Sequence, residues 1–431
     1  MIGESLTKHG TVTSRTSYSL SSSYSTTASR QLHRHHHRGL RLSEPLLPVS
    51  RRPVAGLSII DLPPADVSGI ITDDMRLVTR LSIIARESLK PAKPILLELK
   101  PTSLIIDIFT TDAIDVCKEL SIPVYSFFTG SSVCLTFSLC LPTLDREVEG
   151  EFVDLPAPVE IPGCQPMRTE DLIDQVKDRK NDEYNWFLFH VSRLPHTSGI
   201  ILNAWEDLDP ERLKALKEDP FFKSIPTPPV FPVGPLIKDG EILTEKDAEI
   251  LAWLDAQPCG SVLYRFILVV RRPTDLSAYS TYFNVGTDEN DPSAYLPDGF
   301  PGRTRGVGLV APTWAPQVAV LSHPSTGAFL SHCGWNSTLE SLVHGKPMIA
   351  WPLYAEQRMN ASMLVEEVRV AEKLRREEVI GREEIERVVR AVMEGEHGNA
   401  VRRRARELKE SAHMASQSSA GRILDIWKSK N

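Results

Sequence analysis

The chain has 431 residues, 41% hydrophobic and 24% charged, with a net charge of −7. One hydrophobic core rarely grows past about 250–300 residues, so two domains are expected, and the acidic balance argues against a nucleic-acid partner. No apolar run reaches the roughly 20 residues of a membrane helix; Val133 to Leu141 is the nearest, and no span is expected. The six cysteines (Cys117, Cys134, Cys140, Cys164, Cys259, Cys333) form no C-x-x-C pair and no zinc spacing. They read as reduced thiols of a cytoplasmic protein with no metal site.

Residues 1–56 stand apart. Thr11 to Ser29 is almost entirely Ser, Thr and Tyr, His33-Arg34-His35-His36-His37-Arg38 follows, and residues 1–52 carry eight Lys/Arg against two acids. With no hydrophobic period, the segment is expected to be disordered. It has the composition of an organelle transit peptide without the amphipathic pattern, and a His run without the carboxylate partner of a metal site. The reading adopted is a stretch foreign to the rest, from a mis-joined exon or a shifted frame.

From Leu57 the pattern is α/β. Thr72-Asp73-Asp74 is expected to cap a helix with Leu77, Val78, Leu81, Ile84 and Ala85 on one face, and Pro91 and Pro94 argue against one long helix there. Ser103 to Ile106 is a short apolar strand ending in Asp107, at the carboxyl end where α/β sites form. Asp112 and Asp115 read as structural, and Asp107 has that alternative too. Val124 to Phe128 and Gly199 to Asn203 read as further strands, and Ser131 to Cys140 as an apolar helix. Phe127, Phe128, Trp186 and Phe187 fit a core at least as well as a pocket. Six prolines between Pro220 and Pro235 mark a stiff linker. The divisions expected are 57–219, a linker at 220–240, 241–419, and a last helix at 420–431.

In the second domain Glu241 to Leu254 reads as helix and Ser261 to Tyr264 as strand. The chain then runs straight into Arg265-Phe266-Ile267-Leu268-Val269-Val270, with no room for a crossover of about a dozen residues between parallel neighbours. Either the sheet loses a strand, or one long strand carries Arg265 inside it, which is costly unless that charge is paired. Downstream, Gly327 to Ser331 reads as a buried strand, His332 to Asn336 as a turn, and Ser337 to Val343 as a helix. A helix opening there offers N–H groups and its positive dipole end to an anion; Ser337-x-x-Glu340 is equally a capping box that needs no ligand. Glu383 to Met393, Val401 to Glu410 and Ala420 to Trp427 read as three closing helices.

Trp314 to Gln357 resembles, over 44 positions, the donor-binding signature of plant family 1 UDP-glycosyltransferases: Trp-Ala-Pro-Gln at its start, His-Cys-Gly-Trp-Asn-Ser in the middle, Glu-Gln at its end. The resemblance implies two Rossmann-like domains facing a cleft (GT-B type), both incomplete here, the first binding an acceptor and the second a UDP-sugar. It implies that Trp314 stacks on uracil, with Ala315 and Gln317 at the base edge. His332, Asn336 and Ser337 hold the diphosphate with Trp335 beside it, and Glu340 takes the ribose hydroxyls. Tyr354, Glu356 and Gln357 bind the sugar, glucose by default. The implied reaction is inverting transfer from UDP-glucose, a co-substrate, to a small phenol, with no cofactor and in a monomer. A His from a Gly-x-Gly-His turn takes the hydroxyl proton, and Asp107 matches the Asp that orients it. The chain shows no Gly-x-Gly-His turn, and the Ser-Phe-Gly-Ser phosphate loop that relatives carry after the strand at 261–264 is also missing. The expectation is therefore an impaired glucosyltransferase; the alternatives are a non-catalytic UDP-sugar-binding remnant and a truncated copy that does not fold.

Overall fold

Three of the short apolar runs of the first domain form its sheet, joined by a strand from the proline-rich stretch. The computed structural model describes residues 60–72, 74–237, 243–270, 296–312, 314–376 and 379–428, with side chains to 418. The segment 1–56, expected to be disordered or foreign to the rest, lies outside the described residues. Two compact units are present, one running to Gly234 and resuming at Ala415, the other Pro235–Met414. No helix among the described residues is long and apolar enough to cross a membrane.

In the first unit α1 (Leu77–Leu99) precedes β1 (Leu104–Ile106). Then come α2 (Ala113–Glu119), β2 (Val124–Phe128), α3 (Ser132–Glu147), α4 (Asp182–Arg193), β3 (Gly199–Leu202), α5 (Pro210–Glu218), α6 (Pro220–Ser224) and β4 (Val230–Pro232). The strands lie in the order β1-β2-β3-β4, all parallel, with the helices as crossovers. Leu104 and Ile106 pack with Leu96, Ile114, Cys117 and Val124.

Three expectations fail here. α1 runs unbroken through Pro91 and Pro94. Its buried face, Val78, Ser82, Ala85 and Leu96, is held by the core, and that burial outweighs the lost backbone bonds. Its start is not capped by Thr72 or Asp74: the N-cap is Arg76, and Glu183 of α4 accepts the Val78 N–H (3.1 Å). The proline-rich stretch is no linker. Pro220 opens α6 at a position where no N–H bond is lost, and Pro232 ends β4, an edge strand that tolerates it. The chain changes unit only after Gly234.

The second unit contains α7 (Glu245–Asp255), β5 (Phe266–Val270), α8 (Phe300–Arg303), β6 (Gly308–Pro312), α9 (Gln317–Ser322), β7 (Phe329–Ser331) and α10 (Trp335–Val343). After them come β8 (Met348–Ala350), α11 (Gln357–Ser362), a π-turn (Met363–Glu367), β9 (Ala371–Lys373) and α12 (Arg382–Met393), and then α13 (Gly395–Lys428), which starts in this unit and passes into the first at Ala415. β5 pairs with β6, and β7-β8-β9 form a separate parallel sheet. Of the strand expected at 261–264, only Val262 pairs, through single bridges to Arg265 and Thr326. The chain then turns, Arg265 N–H reaching Ser261 O (3.2 Å). Among the described residues, no full strand forms at 261–264. Arg265 is half-buried and paired, its guanidinium on Gln257 Oε1 (3.1 Å) and Gly306 O (2.9 Å). The helices expected at 401–410 and 420–427 are one element, because residues 399–420 hold no Gly or Pro to break it.

Candidate functional site

The segments that leave the carboxyl ends of β6, β7 and β8, each a loop and the start of a helix, carry every predicted donor residue. Trp314, Ala315 and Gln317 follow β6. His332, Trp335, Asn336, Ser337 and Glu340 follow β7, and Tyr354, Glu356 and Gln357 follow β8. β7 and β8 are in register at Ser331 and Ala350, so their loops leave the sheet side by side. Open α/β sheets bind ligands at that end.

The turn after β7 is tightly built. Ser331 Oγ accepts the Cys333 N–H (3.2 Å), Cys333 sits at φ 65°, and Asn360 Nδ2 donates to Cys333 O (2.9 Å). Gly334 is the N-cap of α10, and a Cβ on it would fall 2.4 Å from His332 Nε2. The imidazole thus occupies the space that the missing side chain leaves. α10 starts at Trp335, two residues before the expected helix start, so Ser337-x-x-Glu340 is not a capping box: both residues lie inside the helix. Gly334 has no side chain to cap the first turn, which suits an anion there. Trp335 is buried and serves packing.

Gln317 ties α9 to α10, its amide donating to Ser337 Oγ (2.9 Å) and Glu340 Oε2 (2.6 Å). Trp314 lies 55% exposed, an aromatic face open to a base. Gln357 is buried, and its Oε1 accepts from the N–H groups of Leu353 (2.9 Å) and Tyr354 (3.0 Å). Its carbonyl therefore shapes the 353–356 turn, in which Ala355 takes φ 54°; Tyr354 and Glu356 are half-buried. Asn360, fully buried under the Cys333 turn, belongs to no motif of the sequence. Its one signal is a place one helical turn after Gln357.

Asp107 belongs to the other unit. Its Oδ1 accepts from Phe109 N–H (2.8 Å) and Thr110 Oγ1 (3.3 Å), capping the turn Ile108–Thr110. The structural reading of Asp107 thus holds for one oxygen. Oδ2 is buried and has no partner among the described residues. Burial without a counter-charge pushes the carboxyl up to about 6, against the pull of those hydrogen bonds. Half-buried Asp112 and exposed Asp115 pair instead with Arg86 (3.1 Å) and Arg193 (2.6 Å).

Parallel strands with helical crossovers, ligand loops at their carboxyl ends and an uncapped helix opening define an α/β nucleotide-sugar-binding unit of the GT-B type. Residues 230–405 match the model of the UDP-glucoronosyl and UDP-glucosyl transferase family. The hydroquinone glucosyltransferase of Rauvolfia serpentina is 42% identical over 393 residues, covering 84% of this chain and 82% of that protein. A Polygonum tinctorium UDP-glucosyltransferase capable of glucosylating indoxyl, solved with 3,4-dichloroaniline, superposes with a TM-score of 0.76 at 39% identity, over 87% of each chain. Phytolacca americana UGT2 with UDP-2fluoro-glucose and pterostilbene gives a TM-score of 0.76 at 37% identity, again over 87% of each. The chain belongs to plant family 1 of the UDP-glycosyltransferases.

Proposed function

We propose that the chain binds UDP-glucose on its second unit and transfers glucose, with inversion, to the hydroxyl of a small phenol. The observation that carries this is the Gln317–Ser337–Glu340 cluster on the first turns of a helix opened by Gly334. Exposed Trp314 takes the uracil face. The first turn of α10, with His332, Asn336 and Ser337, takes the diphosphate, and Glu340 accepts from the ribose. Ala315 lies at the base edge; Tyr354, Glu356 and the remaining amide edge of Gln357 face the sugar hydroxyls. The acceptor oxygen attacks the anomeric carbon as the bond to the β-phosphate oxygen breaks. Charge then grows on UDP, where N–H donors and a helix dipole stabilise it. Support for the donor and acceptor classes comes from relatives that act on hydroquinone and indoxyl and from a neighbour that holds UDP-2fluoro-glucose with pterostilbene.

The proton step is the weak one. A general base contributes about 10²–10⁴-fold, and the family's His has no match in this sequence. Turnover is accordingly slow. The chain works as a cytoplasmic monomer with no cofactor beyond the co-substrate. A second reading, a UDP-sugar-binding protein without turnover, is favoured by the lone Oδ2 of Asp107.

Calorimetric titration of UDP, with Trp314→Ala as control, tests both readings. Saturable binding that the substitution abolishes is expected. Hydroquinone and UDP-glucose then give a β-glucoside slowly on the first reading and none on the second. Absence of binding overturns both, and fast turnover removes the claim of a missing base.

A further inference from the structure

The turn that aims Asp107 is gripped from outside. It ends at Thr111, whose hydroxyl lies 2.7 Å from His190 Nδ1 and whose carbonyl accepts Arg193 Nε–H (3.3 Å). His190 and Arg193 stand one turn apart on α4. The other ring nitrogen, Nε2, lies 2.9 Å from Ser82 Oγ on α1. Ser82 already donates its proton to Val78 O (2.7 Å), so toward the ring it accepts. Nε2 therefore carries the ring proton, and bare Nδ1 accepts from Thr111. Ser82, Thr111 and His190 have no exposed surface. Phe109, whose N–H holds Asp107 Oδ1, meets the imidazole edge-on at 6.0 Å, and Trp186 stacks on it at 5.8 Å.

We propose that His190 is a positioning residue for Asp107: a neutral imidazole that bridges α1 to the Asp107–Thr111 turn and fixes where Asp107 Oδ2 points. The proposal rests on reading Asp107 as the carboxylate of the transfer site. Nothing in it requires His190 to meet a substrate. Two of its contacts, to Thr111 and Phe109, fall on the residues that complete the Asp107 turn. A buried histidine serving the core alone would affect global stability and leave Asp107 as it is.

Carboxyl-¹³C-labelled aspartate, with Asp107 assigned through Asp107→Asn, lets that carboxyl be titrated in the full chain. His190→Phe keeps ring volume and removes both hydrogen bonds. The Asp107 midpoint, about 6 in the parent chain, is expected to fall by about one unit or more as water reaches the loosened turn. Phe109 N–H is expected to exchange about tenfold faster, while UDP affinity stays unchanged. His190→Asn, which places an acceptor near the Nδ1 position, restores most of the midpoint. If His190→Phe does not fold, Thr111→Val makes the same cut from the other side and carries the same expectation. An unchanged midpoint and unchanged Phe109 exchange in either variant overturn the proposal. The effect of Asp107→Asn on glucosyl transfer tests the underlying reading separately.

Discussion

Gln317 and Glu340 are separated by 23 residues and joined by a hydrogen bond of 2.6 Å, across the junction of α9 and α10. The bond holds Glu340 Oε2 in place, and with it the carboxylate proposed to accept from the ribose. Hydrogen bonds to charged groups contribute about 1.5–3 kcal/mol. Glu340→Ala is therefore expected to weaken UDP binding by about 10–100-fold, and Gln317→Ala by less, since it disorders the carboxylate without removing it. Calorimetry on both variants checks this; parent-like affinity in Glu340→Ala removes the ribose role.

Trp314 is more exposed than buried and carries little of the fold. Stacking of a base on an aromatic ring is worth about 1–3 kcal/mol. Trp314→Ala should lose that affinity for UDP with a melting temperature within about 2 °C of the parent. A large drop in melting temperature would show that the ring packs rather than waits for a ligand.

Gly334 needs no glycine for its backbone, with φ −61° and ψ 141°. It needs one for space, since a Cβ would fall 2.4 Å from His332 Nε2. Gly334→Ala is expected to push the imidazole aside and lower affinity for UDP about tenfold or more, with about 1 kcal/mol or less lost in stability. If affinity survives, His332 is not a phosphate ligand.

Asp107 gives a stability signal of known sign. Its carboxyl rises from 3.8 to about 6 on folding. The folded state therefore binds more protons between those values, and stability is fully present below 3.8 and is lost as pH rises through 6. Two units correspond to about 3 kcal/mol. Asp107→Asn is expected to gain about 1–3 kcal/mol at pH 8 and nothing at pH 4. Denaturant titrations at the two pH values settle the matter; equal gains at both refute the buried-charge account.

His190 acts in the opposite sense. Burial, with Arg86 and Arg193 nearby, lowers it from 6.5 to about 3. Its contribution is full above 6.5 and is lost as pH falls toward 3, amounting to about 4–5 kcal/mol at most. His190→Asn should flatten the acid side of the stability profile over that window. An unaltered acid slope would mean that other groups set it.

The strand, turn and helix start between Gly327 and Val343 were legible because they are short, local and lie in one stretch. The place of Asp107 at the end of a strand was legible as well. Tertiary context decided the rest. Pro91 and Pro94 signal a break that core packing overrides, and Pro232 reads as linker until β3 is beside it. Ser337 looks like a cap until Gln317, 20 residues earlier, claims its hydroxyl. Asn360 and His190 bond partners 27 and 79 residues away. No local pattern announces such distances.

Among the described residues, the strands of the second unit form two separate sheets with a seam between β5–β6 and β7–β9. Val262 bridges it, to Arg265 and Thr326, Gly260 N–H bonds Pro324 O (2.9 Å), and Val269 and Leu330, on β5 and β7 either side of it, are 45% and 38% exposed. A two-stranded leaf such as β5–β6 is marginal alone. Trp314 follows β6 on one side of the seam; Asn336 and Glu340 follow β7 on the other. A nucleotide gripped by both is a stitch through the fold, so its binding energy and the cohesion of this unit are one quantity.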